Sequence, residues 1–527
     1  MRKFTSIFGL ACLVMLIYFN MGHAQFSYTL KSHRVGQLST SITNYGLLGS
    51  EGRDLYDPEY GEPAPSAEFP GESNIEYLFS ALIWIGATVE DPYNPGIYDT
   101  LVSIGDDGWW SGINELNPVD SITRYSGIAD DELITSYADT MVIGVVPDPN
   151  DGRPHTPLGI RINSHSFSWI DPPYDDFVIV RYCIENILDN DLEGIYIGFY
   201  YDGDVLHTSE DAYAPEEGAQ DDICGYLESV DAAYIIDNNG QPYDGIFTDI
   251  SPAGICGIKF LGSSQPDMQL SFNWWISNVN SDLDWGPQLS SNYDGPFPGG
   301  GNGTPGGDIA KYMVMSNGEF DYEQFWCDFD YSDAGWISPP ANAYDLANGF
   351  DTRFLFSFGP LNIPENDSAY FYIAMVAGDL LHADPDNYEN NLRYSTDDST
   401  SITSYLQNLD FTDFINNCQS AVDAYLGMTD IQDDLTGYLP KDYGLSQNYP
   451  NPFNASTTIK YNLPTTSEVT IEIYDILGRK IETLLNDIKQ AGYHQATWNA
   501  CEVSSGLYFY RIQAGEFTES KKMVILK

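Results

Sequence analysis

The chain has 527 residues, 43% hydrophobic and 14% aromatic, with 77 acidic against 22 basic side chains and a formal net charge of −55. Such an excess of acid excludes nucleic acid as a partner, because binding phosphates requires basic patches that displace counterions; anionic membrane surfaces are disfavoured for the same reason. Disorder is not implied, since 26 Phe, 38 Tyr and 10 Trp can build a core.

The first residues read as an export signal. Arg2 and Lys3 form a short positive region, Ile7 to Phe19 is an apolar run, and Gly22-His-Ala24 supplies small residues for cleavage after Ala24. The run has thirteen residues, whereas a bilayer core needs about twenty. A signal peptide over 1–24 is therefore expected, with no transmembrane anchor in the mature chain.

Residues 25–430 read as an acidic, mainly β, sandwich-rich body of one or two sandwiches. Tyr77 to Gly86, Phe177 to Ile184, Ile195 to Tyr201, Gln269 to Ile276, Arg353 to Phe358 and Ala369 to Val376 are short runs of β-branched and aromatic residues. Gly, Pro, Asn and Asp clusters separate them, as in sheet sandwiches. Gly295 to Gly307 reads as a loop. Near the end of the body Ile402, Tyr405, Leu406 and Leu409, then Phe414, Ile415, Cys418, Val422, Tyr425 and Leu426, recur at three and four residues. That period predicts one or two amphipathic helices within 401–427.

Chemistry in the body is sparse. Asp202, Asp204, Asp221, Asp222 and Asp237 offer hard oxygens in turns after strands, which suits Ca²⁺ with its six to eight oxygen ligands. Asp237-Asn-Asn-Gly240 echoes the start of an EF-hand loop without its closing Glu. With so many acids, clusters of this kind also arise by chance. The pairs Asp106-Asp107, Asp130-Asp131, Asp175-Asp176 and Glu216-Glu217 place neighbours on opposite faces of a strand, which argues against a shared catalytic cleft. Gly301 to Gly306 matches a dinucleotide fingerprint only literally, as no βαβ unit surrounds it. His33, His155, His165, His207 and His382 have no zinc spacing. Trp109-Trp110 and Trp274-Trp275 could stack on sugars, but one of each pair must face inward and core packing is the better reading. Of the cysteines after Ala24 (Cys183, Cys224, Cys256, Cys327, Cys418, Cys501), none form a C-x-x-C pair. Either disulfides form, with Cys224–Cys256 preferred, or these are buried thiols.

A linker over 431–442 leads to a tail of different chemistry, residues 443–527. The tail holds eight basic and eight acidic residues. With Arg2 and Lys3 set aside, residues 25–442 keep 12 basic and 69 acidic side chains, a net −57. Ile459, Tyr461 and Leu463, then Val469, Ile471 and Ile473, alternate with polar residues as half-buried strands do. Asp475 to Gly478 supplies a turn, and Leu507 to Ile512 and Met523 to Leu526 help complete roughly seven strands, which fits a small immunoglobulin-like sandwich.

The tail resembles the type A C-terminal sorting domain of the type IX secretion system of Bacteroidota and related bacteria. The matching motifs are Tyr449-Pro-Asn-Pro-Phe-Asn454, Ile473-Tyr-Asp-Ile-Leu-Gly-Arg479, the Gly492 to Trp498 spacing, Ser505-Gly-Leu-Tyr-Phe-Tyr-Arg511 and Lys521 to Lys527. The resemblance implies sorting-motif roles for Pro450, Asn451, Pro452, Phe453, Asn454, Gly478, Gly506, Tyr508 and Lys522. It implies passage through the periplasm to the translocon, delivery outside or onto the cell surface, and removal of the tail. Cys501 departs from the family, where a polar residue is usual. The body, through Gly36 to Gly46, Asp202 to Gly225, Ser251 to Gly257 and Phe358 to Gly378, resembles large exported proteins with the same tail, a likeness that names no activity. The expected role is a non-enzymatic surface or extracellular protein that binds a carbohydrate or other surface ligand or serves as structure. The alternatives are a secreted hydrolase of polysaccharide or protein, and a subunit of an extracellular filament or sheath.

Overall fold

The structure is a computed structural model that describes residues 28–51, 55–90, 98–105, 115–140, 155–209, 220–265, 268–276, 284–292, 295, 302–327, 335–341, 343–393, 399–430, 443–445, 448, 451, 453, 456–464, 467–476, 478–489, 492–500, 503–504, 506–515 and 517–525. The signal peptide, the linker 431–442, Trp109-Trp110, Glu216-Glu217 and Cys501 lie outside these residues. The chain divides into two compact units, Met1–Leu426 and Gly427–Lys527.

Among the described residues the first unit holds two large antiparallel sheets, of eleven and nine strands. The centre of the first runs Leu47–Gly49, Ser80–Glu90, Leu192–Asp202, Thr352–Ile363, Gln269–Ile276. The centre of the second runs Asp131–Asp139, Ile160–Ser168, Phe177–Asn186, Ser368–Gly378, Ile255–Ser263. The chain crosses between the sheets from Phe177–Asn186 to Leu192–Asp202 and from Thr352–Ile363 to Ser368–Gly378, and the two sheets pack into a sandwich. Phe199 and Phe358 of the first sheet meet Phe371 of the second with ring centroids 6.2 and 5.0 Å apart. All six strands expected from their apolar runs are present, most of them a few residues longer.

Those runs are nearly continuous rather than alternating because both faces of the central strands are covered. Along Leu192–Asp202, Ile195, Ile197, Phe199 and Tyr201 point into the sandwich. Tyr196 and Tyr200 point the other way, under the helix Gly307–Ser316. Gly86 and Gly198 let that helix approach: a Cβ on Gly86 would stand 2.7 Å from Met315, and one on Gly198 would stand 3.1 Å from it. The outer face of the second sheet lies under the helix Thr412–Asp430, where Tyr425 packs on Tyr372 at 5.0 Å and Asn417 donates to the Ala377 carbonyl at 3.0 Å.

The two helices expected late in the body are Ser399–Gln407 and Thr412–Asp430. The helix Gly307–Ser316 was not expected. Its buried residues Gly307, Ala310, Lys311, Val314 and Met315 recur at three and four residues, but Ile309 and Met313 are exposed and Lys311 is buried, so apolar type does not mark the buried face.

The preferred disulfide is a correction. Cys224, Ile235 and Cys256 lie in one row across three neighbouring strands. Two strand spacings put the cysteine Cα atoms about 9–10 Å apart, beyond the roughly 7 Å that a disulfide can span. Cys183, Cys224, Cys256, Cys327 and Cys418 are all free thiols.

The second unit is a two-sheet sandwich of seven strands among the described residues. Gly444–Leu445, Ser456–Leu463 and Gly492–Asn499 form one sheet; Lys480–Lys489, Ser467–Asp475, Gly506–Ala514 and Phe517–Ile525 form the other, in that order. Alternate residues, Val469, Ile471 and Ile473 with Tyr510, Ile512, Met523 and Ile525, fill its core.

Candidate functional site

In the tail the motifs that are far apart in sequence close on one another. The Asn451 side-chain oxygen accepts the Val524 N–H at 2.9 Å, and the Phe453 N–H donates to the Val524 carbonyl at 3.0 Å. Phe453 is buried and meets the Trp498 ring edge-on at 5.9 Å. Gly478 sits at φ +75°, a left-handed conformation that favours glycine. Its N–H donates to the Asp475 carbonyl at 3.0 Å, and the Asp475 carboxylate takes the Arg479 backbone N–H at 2.9 Å and its side chain at 2.7 Å. Gly506 opens a strand, Tyr508 packs against Trp498 at 6.0 Å, and Lys522 is exposed on the last strand, opposite Phe509. Pro450, Pro452 and Asn454 lie outside the described residues. Sequence reasoning missed Asn448, which is buried, donates its backbone N–H to the Tyr510 hydroxyl at 2.8 Å and its side-chain amide to the Thr457 hydroxyl at 2.9 Å.

In the body, the polar residues that sequence reading left scattered are gathered into ties between the two sheets. His33 of the first sheet has its ring nitrogens 2.8 Å from the Asp131 carboxylate and 2.7 Å from the Ser166 hydroxyl, both in the second sheet. This Asp–His–Ser order has the outline of a nucleophile triad, yet His33 and Ser166 are 0% and 1% exposed. A second tie joins Ser103 of the first sheet to Asp139 of the second, whose carboxylate also meets His155 at 2.8 Å. The other His155 nitrogen lies 2.9 Å from Glu115. Burial alone would lower the His155 pKa; hydrogen bonds to Asp139 and Glu115 outweigh it and push it up to about 10. His155 is therefore an imidazolium between two carboxylates. His165 lies 2.7 Å from Glu132. His382 donates to the Asp237 carbonyl at 2.9 Å and is pushed down to about 4 by burial, so it stays neutral. No spacing in the sequence foretold these partners, since they come from positions up to 145 residues apart.

The five candidate calcium ligands lie near one another, with Asp204 acting electrostatically on both sides, but they are taken up by different partners. Asp202 faces Arg353 across a strand pair at 3.2 Å, and Arg353 also holds Asp351 at 2.9 Å. Burial and the neighbouring Asp202 push Asp204 well up. Asp222 and Asp237 are directly opposite on adjacent strands, and both are fully buried. Burial, then Asp221, Asp204 and Asp237, raise the Asp222 carboxyl well above the usual range; it accepts the Val205 N–H at 3.2 Å. One Asp237 oxygen takes the N–H groups of Asn239 and Gly240 at 2.7 and 2.5 Å, so the apparent EF-hand start is an Asx turn. Among the described residues no three His, Cys, Asp or Glu side chains are placed to hold one metal ion. The five carboxylates as arranged do not fit a single calcium.

The aromatic pair Trp274-Trp275 does split between faces, Trp274 in the sandwich core and Trp275 on the outer face. Both are buried, and Trp275 packs at a tilt against Tyr200 at 5.9 Å and Trp84 at 6.5 Å.

Residues 447–526 match the family model of a secretion system C-terminal sorting domain. No curated protein matches the chain. Among solved structures, dimeric latent PorU from Porphyromonas gingivalis aligns with 10% identity over 95% of this chain and 34% of that one, with a TM-score of 0.14. That score carries no argument about fold, and the chain spans about a third of that protein. The tail is a type IX sorting domain, and the chain is a cargo of that route, delivered outside the cell or to its surface. Among the described residues no helix is long and apolar enough to cross a membrane.

Proposed function

We propose that this exported cargo works outside the cell as a non-enzymatic β-sandwich module that binds a surface ligand or serves as structure. The observation that carries this reading is the use made of the body's catalytic-type side chains. His33, Asp131 and Ser166, and His155, Asp139 and Glu115, are buried and paired with one another, joining strands rather than lining an open cleft. A dense negative surface keeps such a module soluble and separate from its neighbours in a crowded exterior.

A secreted hydrolase is the second reading, and one observation favours it: Asp131, His33 and Ser166 stand at hydrogen-bond distances in the order a nucleophilic serine needs. The mature chain, assayed on ester, peptide and glycan substrates, separates the two. The structural reading expects no turnover that Ser166→Ala removes; turnover lost in that variant while the fold persists would establish the hydrolase.

A further inference from the structure

The four-stranded sheet of the tail buries one face and turns the other outward, and the outward face is not an ordinary solvated one. In register across three strands lie Tyr474, Phe509 and Lys522; the next row holds Glu472, Arg511 and Ser520. Phe509 and, two residues before it, Leu507 are 37% and 40% exposed on this face. An outward strand face is normally polar, and neighbouring exposed apolar side chains mark interaction sites more often than isolated ones do.

The polar residues around them are held in fixed positions. The Arg511 guanidinium lies 5.0 Å over the Tyr474 ring, 2.5 Å from its hydroxyl and 2.7 Å from Glu472. Lys480 reaches the other Glu472 oxygen at 3.0 Å. Hydrogen bonds from Tyr474, Lys480 and Arg511 hold the Glu472 carboxyl down to about 2, so the arrangement keeps its charges at any physiological pH. Lys480, Arg511 and Lys522 against Glu472 and Glu468 leave the face basic by one charge. With Tyr508, Tyr510 and Ile512 turned inward, strand alternation puts Leu507, Phe509 and Arg511 outside; it does not require the first two to be apolar.

We propose that this face is where the export machinery grips the tail, through a protein surface with an apolar centre and an acidic rim. The proposal rests on the sorting reading and names the surface that performs it. A second copy would set basic groups against basic groups. An anionic membrane offers nothing to match the fixed Glu472 carboxylate among these cations, whereas a partner protein can match a rigid Tyr–Arg–Glu array group by group.

The test uses the full chain in a type IX-competent host, with Phe509→Ser and Lys522→Glu combined. The extracellular yield should fall roughly tenfold or more, as expected when apolar and charged contacts are both lost from an interface; Lys522→Arg alone should export normally. An unchanged melting transition of the purified variant shows that the tail still folds. Deleting residues 443–527 is the control for the parent reading: export that survives the deletion overturns the sorting assignment itself. Export lost on deletion but normal in the double variant overturns only the proposed face. A wild-type dimer in size exclusion that the double variant abolishes would assign the face to a second copy. Binding to anionic vesicles that the double variant abolishes would assign it to lipid. Either result overturns the proposal.

Discussion

Asn451 and Val524, 73 residues apart, meet at 2.9 Å, the side-chain oxygen of the first accepting the backbone N–H of the second. With the Phe453–Ile525 bridge beside it, the contact closes the outer edge of the last strand, which would otherwise expose a row of unpaired backbone groups. The first motif of the tail thus completes the last. Phe453→Ala should cost the tail about 3 kcal/mol, because it removes a buried ring from beside Trp498. Asn451→Ala should cost about 1 kcal/mol. Trp498 fluorescence during denaturant unfolding measures both; equal small losses would mean the clip is ornamental.

Ser166→Ala leaves a ring nitrogen of His33 buried without its partner. Body stability should drop by about 1–3 kcal/mol, read from chemical denaturation followed by far-ultraviolet circular dichroism. A variant as stable as the parent would remove the inter-sheet tie from the account.

His155 makes stability fall at alkaline pH. Its folded value of about 10 lies above the ordinary 6.5, so its contribution is complete below about 6.5 and is lost as pH rises through about 10. The denaturation midpoint should decline across that window. His155→Gln should flatten the decline and cost about 3 kcal/mol at neutral pH by stranding Glu115 and Asp139 without a cation. A parent curve that is flat from pH 7 to 10 contradicts this.

Asp176 acts in a lower window. Burial first, then Asp175, Asp413 and Asp379, push its carboxyl up to about 7. Its protonated form stabilises the fold below the usual carboxylate range, and that stability is lost as pH rises through about 7. Asp176→Asn should match the parent near pH 4 and exceed it above pH 7, by about 1 kcal/mol once partial exposure is allowed for. Thermal melts at the two pH values test the crossover.

Cys224 and Cys256 should alkylate as free thiols once the mature chain is unfolded without reductant, and reductant should leave the melting temperature unchanged. A mass spectrum showing these two cysteines linked would overturn the strand order that separates them.

Local pattern carried much of this protein. The β-branched and aromatic runs became the central strands, the three-and-four repeat became the helices Ser399–Gln407 and Thr412–Asp430, and alternation in the tail became its sandwich. The helix Gly307–Ser316 escaped because Ile309 and Met313 are exposed while Lys311 is buried, and what orders it is the sheet face beneath, opened by Gly86 and Gly198. Of the tail's motif residues, the glycine at 478 was legible as a turn; the meeting of Tyr474 with Arg511 was not.

The charge break beside an acidic body marked out the tail, and the tail's resemblance to a sorting domain, carried by its motifs in order, identified the chain from sequence alone as exported cargo. Both are properties of neighbouring residues, which a linear reading can see. Tertiary structure alone decided that Cys224 and Cys256 are kept apart by a strand, that Asp202 belongs to Arg353 and Asp237 to its own turn, and that His33 reaches Asp131 and Ser166 across the sandwich. Those partners depend on which strands pair and in what register, and a shift of one residue would turn every one of these side chains to the opposite face.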